Sequence, residues 1–166
     1  MNAMWTYFWP VFAVGLIAGA AAESIAFRRR SKRNLLLAAG LAAALAATAL
    51  WHGPFGGAGR FTAEIERSAR QGLDNYEMAG ISARLHRDPL ARRLVLSGPA
   101  DDFQRRELVR IMGSIPGVRT ATWSGKNGGR PLIVESMVVA VLGFLSGLVL
   151  AYLVALRRRY NEQWSW

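Results

Sequence analysis

Met137–Leu156, MVVAVLGFLSGLVLAYLVAL, runs for twenty residues without a charge. At about 1.5 Å per residue, a helix of that length crosses the roughly 30 Å hydrocarbon core of a bilayer. Two further stretches read the same way. Ala3–Ala22 is again twenty residues without a charge, and Leu35–Trp51 is seventeen residues rich in alanine. These runs predict an α-helical membrane protein with three transmembrane helices, at about 3–27, 34–52 and 132–156.

The basic residues orient the helices. Arg28, Arg29, Arg30, Lys32 and Arg33 fill the loop 28–33, and Arg157, Arg158 and Arg159 open the tail 157–166. After three crossings both clusters fall on one side, which the positive-inside rule makes cytoplasmic. The N-terminus and the segment 53–131 are then expected outside. Trp5, Tyr7, Trp9 and Trp51 are expected as interfacial aromatics at the outer level, and Trp164 and Trp166 at the inner one. No Lys or Arg precedes the first apolar run, so a retained helix fits better than a cleaved signal peptide, despite the small residues Ala20, Ala21 and Ala22. Glu23, about one turn before the basic loop, is expected to pair with Arg28 or Arg30. Pro10 is expected to bend the first helix.

Gly15 and Gly19 in the first helix, and Gly143 and Gly147 in the third, each lie four residues apart. That spacing makes a groove where two helix backbones approach closely. Packing of the three helices on one another and docking onto another membrane subunit both fit, as they do for the alanines of the second helix.

The whole chain has 166 residues, a formal charge of +10 and no cysteine. Without cysteine there is no disulfide framework, Cys-ligated zinc site, iron–sulfur cluster or cysteine nucleophile. The glycine-rich stretches 53–60 and 124–131 read as linkers, and between them 61–123 reads as a small folded unit. Phe61, Ile65 and Ala69 recur at helical spacing, with Thr62 as a cap and Gly72 near the stop. Ile81, Ala83 and Leu85 alternate with polar residues as a strand, Asp88-Pro89 turns the chain, and Leu94-Val95-Leu96 begins a second strand. Asp101 and Gln104 have capping-box spacing for a helix whose apolar stripe is Leu108, Ile111, Met112 and Ile115. Val118–Trp123 reads as a last strand. The order is α-β-β-α-β, an extracytoplasmic α+β domain with two helices expected on one face of a three-stranded sheet.

That order, with Leu94, Leu96 and Gly98 closing a strand, a polar-capped helix, and Gly117-Val118 opening the last strand, resembles the BON (bacterial OsmY and nodulation) domain. The resemblance covers one copy. It implies an envelope or periplasmic protein associated with phospholipid binding. With the three spans and the basic clusters, the expectation is a bacterial inner (plasma) membrane protein with its N-terminus and central domain in the periplasm and its C-terminus in the cytoplasm.

No catalytic set emerges. His86, Asp88 and Ser97 share the small unit without a nucleophile elbow, and Asp101-Asp102 suits a helix start. The expectation is a protein that is not an enzyme and holds no metal or cofactor. The segment 53–131 has thirteen Lys and Arg against eight Asp and Glu, a net +5. Arg84, His86, Arg92, Arg93 and Arg119 are expected to make a cationic sheet face for membrane lipids or an envelope partner. The alternative for these charges is plain solubilisation. Nucleic acid is not expected, because no stacking aromatics interleave with the basic residues. For the whole protein, the alternative is an accessory or assembly subunit of a larger membrane complex, docked on its partner subunits through the transmembrane helices.

Overall fold

The computed structural model describes residues 2–28, 30–125 and 129–163. The expectations placed on Arg29, Lys126, Asn127, Gly128, Trp164 and Trp166, and on the side chains of Arg28 and Arg30, lie outside the described residues. The protein is mostly helical, with three long apolar helices and a small three-stranded sheet. The chain divides into two compact units, one made of residues up to Tyr7 with Gly56–Glu135, the other of Phe8–Phe55 with 136–166.

The helical unit is built from α1 (Ala3–Arg28), α2 (Arg33–His52) and α5 (Leu132–Gln163), each long and apolar enough to cross a membrane. A single 3₁₀ turn, Arg30–Lys32, joins α1 to α2. Helix α1 runs through Pro10 without interruption. Helix α5 continues past 156, because Arg157–Arg159 and the residues after them include no Gly or Pro and arginine is a good helix former.

The other unit carries α3 (Gly57–Asn75), β1 (Ser82–Arg87), β2 (Leu90–Ser97), α4 (Asp102–Gly113) and β3 (Thr120–Thr122) in that order. Strand β1 pairs antiparallel with β2, and β2 pairs parallel with β3. Leu85 lies beside Leu94, Ala83 beside Leu96 and Leu94 beside Ala121, so these side chains share one face of the sheet. Phe61, Ile65, Ala69 and Leu73 of α3, and Leu108 and Met112 of α4, are buried with them. The capping box forms: Gln104 N–H donates to Asp101 Oδ1 at 2.7 Å, and Asp101 N–H donates to Gln104 Oε1 at 3.1 Å.

Helix α3 differs from its expected bounds at both ends. It starts at Gly57, and the Thr62 hydroxyl donates to the Ala58 carbonyl inside the helix instead of capping it. The reason is the stripe itself: Gly57, Phe61, Ile65, Ala69 and Leu73 are spaced four apart and all buried, so packing overrides the low helix propensity of glycine. At the other end α3 passes through Gly72 to Asn75, and a Cβ at 72 would meet Met112 Cε at 3.1 Å. Gly72 leaves room for α4's methionine and does not stop the helix.

Candidate functional site

Two helix faces and the two sides of the small sheet carry the candidate residues. In the helical unit the four glycines meet within the chain. A Cβ on Gly15 would press on the carbonyl of Ala140, and one on Gly19 on that of Phe144. Reciprocally, a Cβ on Gly143 would press on the carbonyl of Phe12, and one on Gly147 on that of Leu16. Residue numbers rise together along this seam, so α1 and α5 run parallel. Gly40 of α2, which the four-residue spacing did not single out, faces both: its Cβ would stand 2.7 Å from Ala22 Cβ and 3.2 Å from the Phe144 ring. The glycine grooves are therefore filled by the chain's own helices. At one end of the pair the Arg159 guanidinium carbon lies 4.7 Å from the Phe27 ring centroid, which puts Arg159 beside the last turn of α1. Glu23 is buried, and the Arg33 guanidinium lies 3.5 Å from its carboxylate.

The five cationic residues of the smaller unit do not form one plate. Arg92 shares the Leu94 side of β2 and reaches away from the sheet. Its Nε donates to the Gly117 carbonyl at 2.8 Å, one terminal nitrogen donates to Glu135 Oε2 at 3.2 Å, and the other lies 3.4 Å from Met4 Sδ. Arg119 donates to the other Glu135 oxygen at 3.4 Å. Glu135, in the first turn of α5, thus takes two of the expected cations out of a headgroup-binding face. It lies 43 positions from Arg92, and nothing local in the sequence connects them. Tyr7, expected at the membrane interface, is 2% exposed and packs on Phe61 with ring centroids 5.3 Å apart, whereas Trp5 and Trp9 are exposed.

The opposite sheet face keeps Arg84 and Arg93. The register sets Arg84 beside Val95, Arg93 beside Thr120, Val95 beside Thr122 and Ser82 beside Ser97. The Ser82 and Ser97 hydroxyls are 2.8 Å apart, and Arg93 donates to the Ser124 carbonyl at 2.8 Å. Arg84 and Thr120 are exposed, and the others on this face are partly or fully exposed. His86 Nδ1 lies 3.2 Å from the Pro89 carbonyl oxygen, so neither His86 nor Ser97 is engaged with the other. Among the described residues no group of three His, Cys, Asp or Glu side chains is placed to hold a metal ion.

The short glycine motifs have a steric basis. Gly98 has φ 134° and its Cβ would meet Ile81 Cα at 3.0 Å; Gly117 has φ 107° and its Cβ would meet Ile65 Cδ1 at 2.8 Å. Both positions exclude a side chain by conformation and by space. Leu94, Leu96 and Val118 are core residues. No protein-family model matches the chain, and no curated protein or solved structure matches it either.

Proposed function

We propose that the protein is a non-enzymatic protein of the bacterial inner membrane that presents a BON-like domain in the periplasm, where it binds phospholipid head groups or an envelope partner. The observation that carries this reading is the polar sheet face of Arg84 and Arg93 with Ser82, Ser97, Thr120 and Thr122, turned away from the leucine core. Arginine forks and hydroxyls are donors suited to phosphate oxygens. Arg92 and Arg119 drop out of the binding set, since Glu135 engages both. His86 stands at the rim with its Nδ1 near Pro89. The alternative, an accessory subunit of a membrane complex, loses the glycine grooves as docking surfaces and keeps only the exposed helix faces.

The test uses the absence of cysteine. A fluorophore on Thr120→Cys in the full chain, held in nanodiscs, reports contact of this face with head groups. Blue-shifted emission in phosphatidylglycerol relative to phosphatidylcholine is expected, reversed by high salt and by Arg84→Glu/Arg93→Glu. Equal emission in both lipids would end the lipid reading, and stoichiometric co-purification of a second membrane protein would then favour the subunit reading.

A further inference from the structure

Beyond the last glycine contact, helices α1 and α5 leave a groove of about 520 Å³ at their arginine-bearing end. That volume lies within the range of about 300–1,000 Å³ typical of ligand clefts. Leu150, Val154 and Arg158 follow one another at four-residue spacing along α5 and all line it, with Ala20 and Phe27 contributed by α1. One wall therefore runs from apolar to cationic over two helical turns. Glu23 also lines the groove, but Arg33 stands 3.5 Å from its carboxylate and compensates its charge. A second cavity of about 370 Å³ shares Glu23, Phe27 and Tyr152 with the first and includes Arg33. With Glu23 matched, Arg158 and Arg159 give the groove an excess of positive charge.

We propose that this groove binds one anionic phospholipid, with its phosphate held by Arg158 and Arg159 and an acyl chain laid along Ala20, Leu150 and Val154. The polarity order of the wall is that of a lipid, head group at the helix end and hydrocarbon toward the middle of the span. Basic pockets between membrane helices are suited to such head groups. The Arg159 guanidinium carbon lies 4.7 Å from the Phe27 ring centroid, a cation–π distance that holds this charge at the mouth of the groove. Free phosphate would use the arginines and leave the apolar wall uncovered. The site is separate from the sheet face of Arg84 and Arg93, and the two proposals stand or fall independently.

Native mass spectrometry of the delipidated full chain in neutral detergent tests it, titrating phosphatidylglycerol against phosphatidylcholine. Preferential retention of phosphatidylglycerol is expected, and Arg158→Gln/Arg159→Gln should weaken it about 30-fold, taking about 1 kcal/mol per arginine and tenfold per 1.4 kcal/mol. Ala155→Trp keeps both arginines but fills the groove, which Ala155 lines, and should also abolish retention. Arg84→Gln/Arg93→Gln should leave it unchanged. Equal retention of the two lipids, displacement by millimolar inorganic phosphate, or undiminished binding in the variants would overturn the proposal. If the double arginine variant does not fold, Ala155→Trp decides: retained phosphatidylglycerol overturns the site.

Discussion

Glycine at 15, 19, 143 and 147 is required by what each residue faces, since a Cβ at any of them would meet the backbone of the neighbouring helix. Replacing Gly19 or Gly147 with Leu should therefore destabilise the three-helix unit by about 3 kcal/mol or more, read as a lowered thermal midpoint in detergent. Gly59 is the control. A Cβ there meets nothing within 4 Å, so Gly59→Ala in α3 should stabilise by about 0.5 kcal/mol through helix propensity. The same contrast separates the arginines. Arg92 and Glu135 each keep 18% of their side-chain exposure, and Arg92 also holds the Gly117 carbonyl. Arg92→Met should cost about 2 kcal/mol in denaturant unfolding, because it removes the donor to the Gly117 carbonyl and leaves the Glu135 carboxylate with Arg119 in place of two arginines. Arg84→Met, on the exposed face, should stay within about 0.5 kcal/mol of wild type. Equal costs at the two positions would contradict the division of the cationic residues described above.

At the scale of elements, α4 was the most legible from sequence. Asp101 and Gln104 stand at the spacing that satisfies two N–H groups at the helix start, and both bonds form. Asp101→Ala should cost about 1 kcal/mol in stability. On the same helix, hydrogen bonds from Arg110 hold the Glu107 carboxyl below the usual glutamate range. A depressed carboxyl contributes stability above its unfolded pKa and loses it as pH falls through the folded value. Glu107→Gln should therefore flatten the acid limb of the stability profile slightly, the pair being fully exposed. Where α3 begins was not legible, because glycines 56, 57 and 59 read as linker, and only burial of Gly57 in line with Phe61 starts the helix there, with Gly56 left-handed just before it. β3 is also shorter than the strand expected from 118–123: Trp123 lies just beyond it, and its indole N–H donates to the Arg105 carbonyl of α4.

For the molecule as a whole, the parallel run of α1 and α5, the contact of Arg159 with Phe27 and the pairing of Arg33 with Glu23 put Arg159 and Arg33 at one end of the helical unit. A bilayer around that unit then separates the loop before α2 from the segment after it. Single cysteines at Ser31 and Ser68, both exposed, should react with an impermeant maleimide from opposite sides in intact cells, Ser68→Cys from outside. Reaction of both from outside would sink the topology, and with it the cytoplasmic placement of the arginine tail.

The three apolar spans, the basic clusters and the alternation of short strands with amphipathic helices were readable from the sequence alone. Each is a local pattern, a run or a periodicity set by bilayer thickness, helical pitch or strand pleat. What those patterns meet depended on the tertiary structure. Only the folded chain shows the glycine faces of α1 and α5 closing on each other and Glu135 drawing Arg92 and Arg119 from the other cations. It also buries Tyr7 against Phe61. The physical reason is distance along the chain. Charge and hydropathy are properties of neighbouring residues, whereas Arg92 and Glu135 are 43 positions apart and are brought together by the sheet and the first turn of α5.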